Sequence, residues 1–333
     1  MYPNATPPTM QHPLLMRVLA SSVHLAGRAC TIVRNILASN DLEIVEKGVN
    51  DLQSKADRDA QRFIVGSLTR AFPDLKIIGE EGDLEDDGQS ISLDLDEEVL
   101  HKKCPPTLFS TPSSEIVVWV DPLDGTKEFT EGLVEHVTVL IGIAVSGRPV
   151  AGVIAQPFYS TGEAHPPIPS ETKSRVFWSL DGLGVFGITP NLPPGPTPFP
   201  MNTHLQQGDV PNILVVTRSH PTPNLQAAIE ACAPTKVIRT GGCGYKVVML
   251  LEGLAHLYLF PSGGTKRWDT CAPEAVLSAA GGRMTDLLGQ PYDYRETDDP
   301  VNHRGLLATP VADWLPIYAS RIPRSVVDSM RPS

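Results

Sequence analysis

What the chain lacks narrows its identity first. None of its 333 residues fall in an uninterrupted apolar run of the kind a membrane-spanning helix needs, ~20 residues long. The opening stretch MYPNATPPTMQHP has no basic patch followed by a compact hydrophobic segment, so it does not read as a secretory leader. Asn4–Thr6 matches a glycosylation sequon, which matters only in a secreted chain. The five cysteines (Cys30, Cys104, Cys232, Cys243 and Cys271) are widely spaced and form neither a CxxC pair nor a Cys/His cluster. Structural zinc and a disulfide framework are disfavoured, and free thiols in a cytoplasmic, reducing setting are the expectation. Positive charge is scarce: 27 Lys and Arg stand against 38 Asp and Glu, a net charge of −11. A protein that grips nucleic-acid backbone needs a dense basic surface, so no nucleic-acid partner is expected. A small phosphorylated substrate stays open, because bound cations can reverse the sign of an acidic pocket. No convincing tandem repeat is seen, and the Gly241–Gly244 run lacks the spacing of a Rossmann fingerprint or a Walker loop.

What is present suffices for a substantial core: 41% of residues are hydrophobic and 20% charged. Residues 14–36 carry helical periodicity, with Leu15, Val18, Leu19, Ser22, Ala26, Ala29, Cys30 and Val33 near one face. A second helix is expected at 55–70, then a strand at Leu75–Ile78 and an acidic, solvated loop over 80–98. Ile116–Val120 reads as a short strand broken by the polar stretch Asp121–Glu131. Val137–Val145 and Val150–Ile154 are β-branched and read as paired strands joined by Ser146–Arg148. Segments 161–174 and 188–212 are rich in Pro, Gly and Thr and read as loops. Beyond them come a strand at Ile213–Val216, helices at 223–231 and 245–252, a strand at Leu257–Phe260 and a helix over Asp269–Ala280. The alternation predicts an α/β (mixed α+β) protein in two halves, 1–187 and 188–333.

The strongest local feature is Trp119-Val120-Asp121-Pro122-Leu123-Asp124-Gly125-Thr126. A hydrophobic strand runs straight into two carboxylates, and Pro122 and Gly125 can shape a tight loop between them. The Leu123 carbonyl offers another oxygen, and oxygen-rich sites suit hard cations such as Mg²⁺. Taken alone, a DPxDGT turn is equally compatible with a solvated loop or an Asx cap. Other acids recur at the ends of predicted elements: Asp57 in Ser54-Lys55-Ala56-Asp57, Glu80 in Gly79-Glu80-Glu81, and Asp269 in Lys266-Arg267-Trp268-Asp269. Their local alternatives are a helix salt bridge for Asp57, a surface position for Glu80 and an N-cap for Asp269.

This ordered set resembles the magnesium-dependent, lithium-sensitive phosphatase superfamily that includes inositol monophosphatase and fructose bisphosphatase. Landmarks run from Val45-Glu46-Lys47, Asp51-Leu52-Gln53 and Lys55-Ala56-Asp57 through Ile78–Glu81 and Trp119–Thr130. They continue through Thr217-Arg218-Ser219-His220, Gly241–Lys246 and Trp268–Pro273, spanning about 14–324. The Lys127-Glu128-Phe129 continuation, the TRSH run and the CAPE segment after Asp269 are similar to the 3′(2′),5′-bisphosphate nucleotidase branch. The resemblance implies a layered αβαβα sandwich with the metal site between its halves. It implies Glu80, Asp121, Asp124 and Asp269 as metal ligands with the Leu123 carbonyl, and Asp57 and Glu80 helping to hold a second or third Mg²⁺ and its water.

Within that resemblance, Asp57 is the candidate catalytic acid that orients or deprotonates water, with Thr126 as its hydroxyl partner. A covalent role for Thr126 is not expected, since no adjacent His supplies a base. The amides of Gly125 and Thr126 offer a helix start to a phosphate. Thr217, His220, Gly242 and Lys246 match nucleotide-contacting positions, while Arg218 stays open between phosphate contact, internal ion pair and solvent. Trp119, Trp268 and Phe129 read as core or site-wall aromatics rather than base-stacking groups. The implied reaction is Mg²⁺-dependent removal of the 3′-phosphate from adenosine 3′,5′-bisphosphate. Implied alternatives are the 2′,5′ isomer, 3′-phosphoadenylyl sulfate and inositol polyphosphates, the last pointing to an inositol polyphosphate 1-phosphatase. No membrane association and a monomeric state complete the expectations.

Overall fold

A computed structural model describes residues 12–48, 51–84, 91–159, 172–187 and 212–330. The sequon at Asn4 and most of the loops expected at 161–174 and 188–212 lie outside these residues, as does the middle of the acidic 80–98 stretch. The chain opens with α1 (Leu14–Ser39), the hairpin β1 (Val45–Gly48) and β2 (Asp51–Gln53), α2 (Lys55–Ala71) and β3 (Lys76–Gly79). After the single turn α3 (Glu97–Leu100) come β4 (Ile116–Asp124), α4 (Thr126–Thr130), β5 (Thr138–Val145), β6 (Arg148–Tyr159), β7 (Lys173–Leu180) and β8 (Gly184–Phe186). Next follow β9 (Ile213–Thr217), α5 (Pro223–Cys232), β10 (Lys236–Thr240), α6 (Cys243–Leu251), β11 (Leu257–Phe260) and β12 (Thr265–Lys266). The chain then runs through α7 (Arg267–Ala279), β13 (Arg283–Thr285), β14 (Val301–Asn302), β15 (Leu306–Thr309), α8 (Leu315–Ala319) and α9 (Arg324–Ser329). None of the described helices is long and apolar enough to cross a membrane.

Two large sheets organise the molecule. The first has strand order β3-β4-β5-β6-β7-β8 and the second β10-β9-β11-β15-β13. Both are buried on two faces, and the period-two alternation of their side chains divides the core into layers. Val118, Val120, Ile141, Val153 and Ala155 face α1 and α2 in one cluster. Their neighbours Trp119, Leu140 and Ile154 point the other way, onto α6 and α7. The second sheet repeats the device: Val215, Tyr258 and Ala308 join that same central cluster. Leu214, Val216, Leu257, Leu259 and Leu307 instead pack on α5, α8 and α9. The resulting order is helix, sheet, helix, sheet, helix, the αβαβα sandwich expected.

Close approach of the central helix to the first sheet depends on two glycines. Gly142 of β5 and Gly152 of β6 are register partners. A Cβ on Gly142 would lie 2.5 Å from Cys271 Cβ, and one on Gly152 would lie 2.5 Å from the Ala272 carbonyl oxygen. With no side chains there, α7 lies directly on the sheet.

Several elements differ from the sequence reading. β4 does not stop at Val120 but continues to Asp124, with its register against β5 shifting between Asp121 and Asp124. The irregularity absorbs Pro122, which cannot donate to a ladder. β6 runs well beyond Ile154, because Pro157 falls where the pairing with β7 is also irregular. β7 was not anticipated: its outer end, Lys-Ser-Arg, conceals the apolar Val-Phe-Trp that follows. Helix α7 begins at Arg267, which makes Asp269 its third residue rather than its N-cap.

The CAPE glutamate is buried in this central layer. Glu274 accepts a 2.6 Å hydrogen bond from Tyr294 Oη, and burial raises its pKa from 4.5 to about 7 despite Arg148 and Arg267 nearby. The folded chain therefore binds this proton more tightly than the unfolded chain, and stability is lost as pH rises from about 4.5 through about 7. Glu274→Gln is expected to exceed the parent in stability by roughly 1–3 kcal/mol near pH 8, with the advantage vanishing toward pH 4.5. Urea midpoints across that range measure it; parallel pH profiles for the two proteins would contradict it.

Candidate active site

The acidic residues converge because two parallel strands end side by side. Gly79 of β3 pairs with Val120 of β4, and the next amide, Glu80 N, donates to the Val120 carbonyl at 3.0 Å. Glu80 and Asp121 thus leave adjacent strands together. Asp121, Leu123 and Asp124 follow on the irregular end of β4, where Leu123 N donates to Asp121 Oδ1 at 3.0 Å. The remaining acids arrive on helix N-termini. Asp57 is the third residue of α2 and closes a capping box with Ser54, whose amide and hydroxyl donate to Asp57 Oδ2 at 2.7 and 2.6 Å. Asp269 occupies the same position in α7 and accepts the Lys266 amide at 2.7 Å. Asp124 takes the start of α6, accepting Cys243 N at 2.9 Å and Gly244 N at 2.7 Å, with Thr138 Oγ1 at 2.7 Å.

The local alternatives resolve accordingly. Asp57 is a helix-start residue but not a salt-bridge partner: its Oδ1 accepts Thr126 Oγ1 at 2.8 Å. Thr126 Oγ1 is also 3.1 Å from the Leu123 carbonyl, so one hydroxyl links the α2 acid to the β4 turn. Glu80 is not on the open surface; Lys47 Nζ lies 3.6 Å from it.

A cleft of ≈ 250 Å³ is lined by Glu80, Asp121, Leu123, Asp124, Gly125, Thr126 and Asp269. Thr217, Ser219, His220, Gly242 and Lys246 line the same cleft. Asp57 is buried behind Thr126 rather than lining the cleft. The second group comes from the carboxyl ends of parallel strands. Thr217 ends β9 and pairs with Thr240, which ends β10, and the Gly241-Gly242 turn then enters α6, where Lys246 sits. Lys246 Nζ donates to the Gly242 carbonyl at 2.8 Å. Burial lowers its pKa against the opposing pull of Cys243 and Asp124. His220 Nδ1 is 2.9 Å from Ser219 Oγ and 3.4 Å from Thr217 Oγ1. Burial, then Lys246 and Lys127, lowers its pKa, which favours the neutral ring at neutral pH.

Crowding governs the acids. Burial followed by Asp269 raises Glu80 from 4.5 to about 8. Burial followed by Asp124 raises Asp269 from 3.8 to about 6. Asp121 is raised well above its ordinary value by burial, Glu80, Asp124 and Asp269. Among the described residues no three His, Cys, Asp or Glu side chains stand as a ready-made ion-binding group. Both Asp124 oxygens are taken by α6 and Thr138. The donor chemistry nevertheless fits a hard divalent cation: all donors are carboxylate or carbonyl oxygens, and burial with mutual repulsion raises Glu80, Asp121 and Asp269 together, the response of acids that lack a positive partner.

Reading the sequence missed other parts of the cleft. Glu128 belongs to the KEF stretch and lines the floor, and Tyr258 and Phe260 line the wall. Their alternation in β11, toward the central layer, was the available signal. Arg218 does not line the cleft but pairs with Glu128 at 3.3 Å and with Glu131. Trp119, Trp268 and Phe129 are buried, and Trp119 Nε1 donates to the Tyr294 carbonyl at 2.9 Å. They are core aromatics. All five cysteines are free and buried.

A sandwich of this kind with an acidic cleft between its sheets is the inositol monophosphatase type of fold. The crystal structure of the extragenic suppressor protein suhB from Bartonella henselae superposes with a TM-score of 0.64, at 19% identity, over 91% of this chain and 97% of that one. The chain belongs to the inositol monophosphatase family, whose model matches residues 15–313. It is 43% identical over 326 residues to human 3′(2′),5′-bisphosphate nucleotidase 1, covering 96% of this chain and 98% of the relative. The Dictyostelium discoideum protein of the same name is 35% identical over 301 residues, covering 89% and 93%.

Thr138 supports the site without belonging to it, through its 2.7 Å bond to the Asp124 carboxylate. Thr138→Val keeps the shape and removes a donor to a buried carboxylate. We expect a loss of about 1–3 kcal/mol in urea denaturation. A loss within error would mean that α6 alone holds Asp124.

Proposed function

We propose that the chain hydrolyses adenosine 3′,5′-bisphosphate to AMP and inorganic phosphate, and accepts the 2′,5′ isomer and 3′-phosphoadenylyl sulfate as well. One observation carries the reading: an acidic cluster suited to divalent cations and a wall bearing Lys246, His220 and Thr217 share a single cleft. A bisphosphate has one phosphate for each side. The near full-length similarity to relatives named bisphosphate nucleotidases supports the same substrate class.

Glu80, Asp121, Asp124, Asp269 and the Leu123 carbonyl would hold two or three Mg²⁺ ions, with Asp57 assisting through water. When bound, Mg²⁺ would neutralise phosphate charge and acidify the attacking water. The chain's own residues do the rest. Asp57 acts on the water through Thr126, whose hydroxyl lines the cleft and can take the water's proton as it passes its own to Asp57 Oδ1; Ser54 fixes the other Asp57 oxygen, so the carboxylate cannot rotate away. Burial keeps its pKa at about 6, which suits a proton acceptor that must release the proton again near neutrality. Lys246 supplies a desolvated positive charge for the second phosphate. His220, as a neutral ring, hydrogen-bonds the ribose or phosphate region together with Thr217. Transfer is direct and in line, through a loose transition state.

The halves 1–187 and 188–333 divide the work: most metal ligands come from the first, and Asp269 and the nucleotide wall from the second. The buried free thiols support a cytoplasmic setting, and we assign a monomer.

A phosphate-release panel over nucleotide and inositol bisphosphates, with and without Mg²⁺, tests this. Mg²⁺-dependent release is expected to be greatest for adenosine 3′,5′-bisphosphate. Much faster release from inositol 1,4-bisphosphate at equal enzyme would make the protein an inositol polyphosphate 1-phosphatase instead. Asp121→Asn is expected to lower kcat by roughly 100-fold or more, since even residues behind a metal's ligands often cost 10–100-fold. Near-normal turnover at saturating Mg²⁺ would remove Asp121 from its assigned role.

A further inference from the structure

We propose that Arg218 controls nucleotide affinity without touching the nucleotide: it cancels the buried charge of Glu128, which otherwise repels an incoming bisphosphate. The proposal rests on the bisphosphate reading above and assigns a positioning and charge-balancing residue to that site.

Glu128 lies in α4 and lines the cleft floor, with its side chain 4% exposed. It has no room to turn away. A Cβ on Gly241 would lie 2.0 Å from Glu128 Cδ, so the carboxyl group is packed against the turn that leads into α6. Its charge reaches the substrate wall, acting to raise the pKa of both Lys246 and His220. An unopposed carboxylate here would meet the same phosphates that Lys246 is meant to attract.

Arg218 opposes it. Its Nη2 and Nε lie 3.3 and 3.4 Å from Glu128 Oε1, and its guanidinium also pairs with Glu131. Its backbone is fixed as well, with Arg218 N donating to the Thr240 carbonyl at 3.1 Å. Thr217 and Ser219 line the cleft, but Arg218 between them does not. The side chain points behind the wall, to the acid, instead of into the space a phosphate would fill. The two stretches that mark the nucleotidase branch, Lys127-Glu128-Phe129 and Thr217–His220, are thereby joined by one ion pair. A bisphosphate carries more charge than a monophosphate and is the substrate most sensitive to an exposed acid on the floor.

The sign of a double substitution separates charge cancellation from direct contact. KM and kcat for adenosine 3′,5′-bisphosphate are measured in Arg218→Met, Glu128→Gln, the double variant and Arg218→Lys. Arg218→Met, which strands the buried carboxylate, is expected to raise KM about 10-fold or more, with kcat changed less than about 3-fold. Adding Glu128→Gln is expected to bring KM back to within about 3-fold of the parent, and Arg218→Lys to keep it there. A double variant as poor as Arg218→Met would mean that Arg218 binds substrate itself. An unchanged KM in Arg218→Met would leave the pair with no role in binding. If Arg218→Met fails to fold, Glu128→Gln with Arg218→Lys decides: the Gln variant should bind no worse than the parent, and a KM raised about 10-fold would overturn the proposal. Should the parent protein prefer another bisphosphate in the panel, the same comparison runs on that substrate, so substrate identity and charge cancellation fail separately.

Discussion

Like charges held together against their own repulsion are the condition on which this molecule is built. Five carboxylates approach one another out of bulk water, which is unfavourable unless something positive is arranged around them. Three helix N-termini do that work. The N-cap amides of α2 and α7 reach Asp57 and Asp269, and the first amide of α6 reaches Asp124, so each acid sits at the positive end of a helix dipole. The helices are fixed by their apolar faces in the layered core, so the partial charges they present are fixed too. Packing far from the cleft therefore sets its electrostatics. Helix ends alone leave Glu80 and Asp121 raised by burial and by their acidic neighbours, and a divalent cation would relieve that repulsion.

The same logic applies on the substrate side, in milder form. Lys246 is buried, which lowers its pKa, while Cys243, Asp124 and Glu128 pull the other way. Arg218 and Glu128 balance each other behind it. The cleft lining mixes Lys127, Lys246 and Lys266 with its acids.

Much of this was legible in the sequence, and the reasons are local. The β4 acids follow an apolar strand within a few residues, so strand, turn and carboxylates can be read together. The layered fold could be expected from alternating strand and helix patterns, although its layer order came from family resemblance. The Thr126–Asp57 hydroxyl bond spans 69 positions, and no periodicity foretells it. The Arg218–Glu128 pair spans 90 positions, which is why Arg218 stayed ambiguous until the fold was known. Strand β7 was hidden because Lys173 and Arg175 mask its apolar face, and Arg175 in fact lies over the Tyr159 ring, 3.7 Å from its centroid. The start of α7 was misjudged by two residues because its Lys-Arg entry reads as a loop.

The two facing glycines under α7 determine how the halves can move. Helix α7 follows the last strand of the six-stranded sheet by some 80 residues (Phe186 to Arg267), yet it rests backbone-close on that sheet through Gly142 and Gly152. A contact this tight has no lubricating layer of flexible side chains, and sliding it would drive Cys271 and Ala272 into the strands. The joint is a clamp and not a hinge. The same clamp ties Asp269, near the start of α7, to the β4 acids, so their spacing is set by backbone contact and not by side-chain packing.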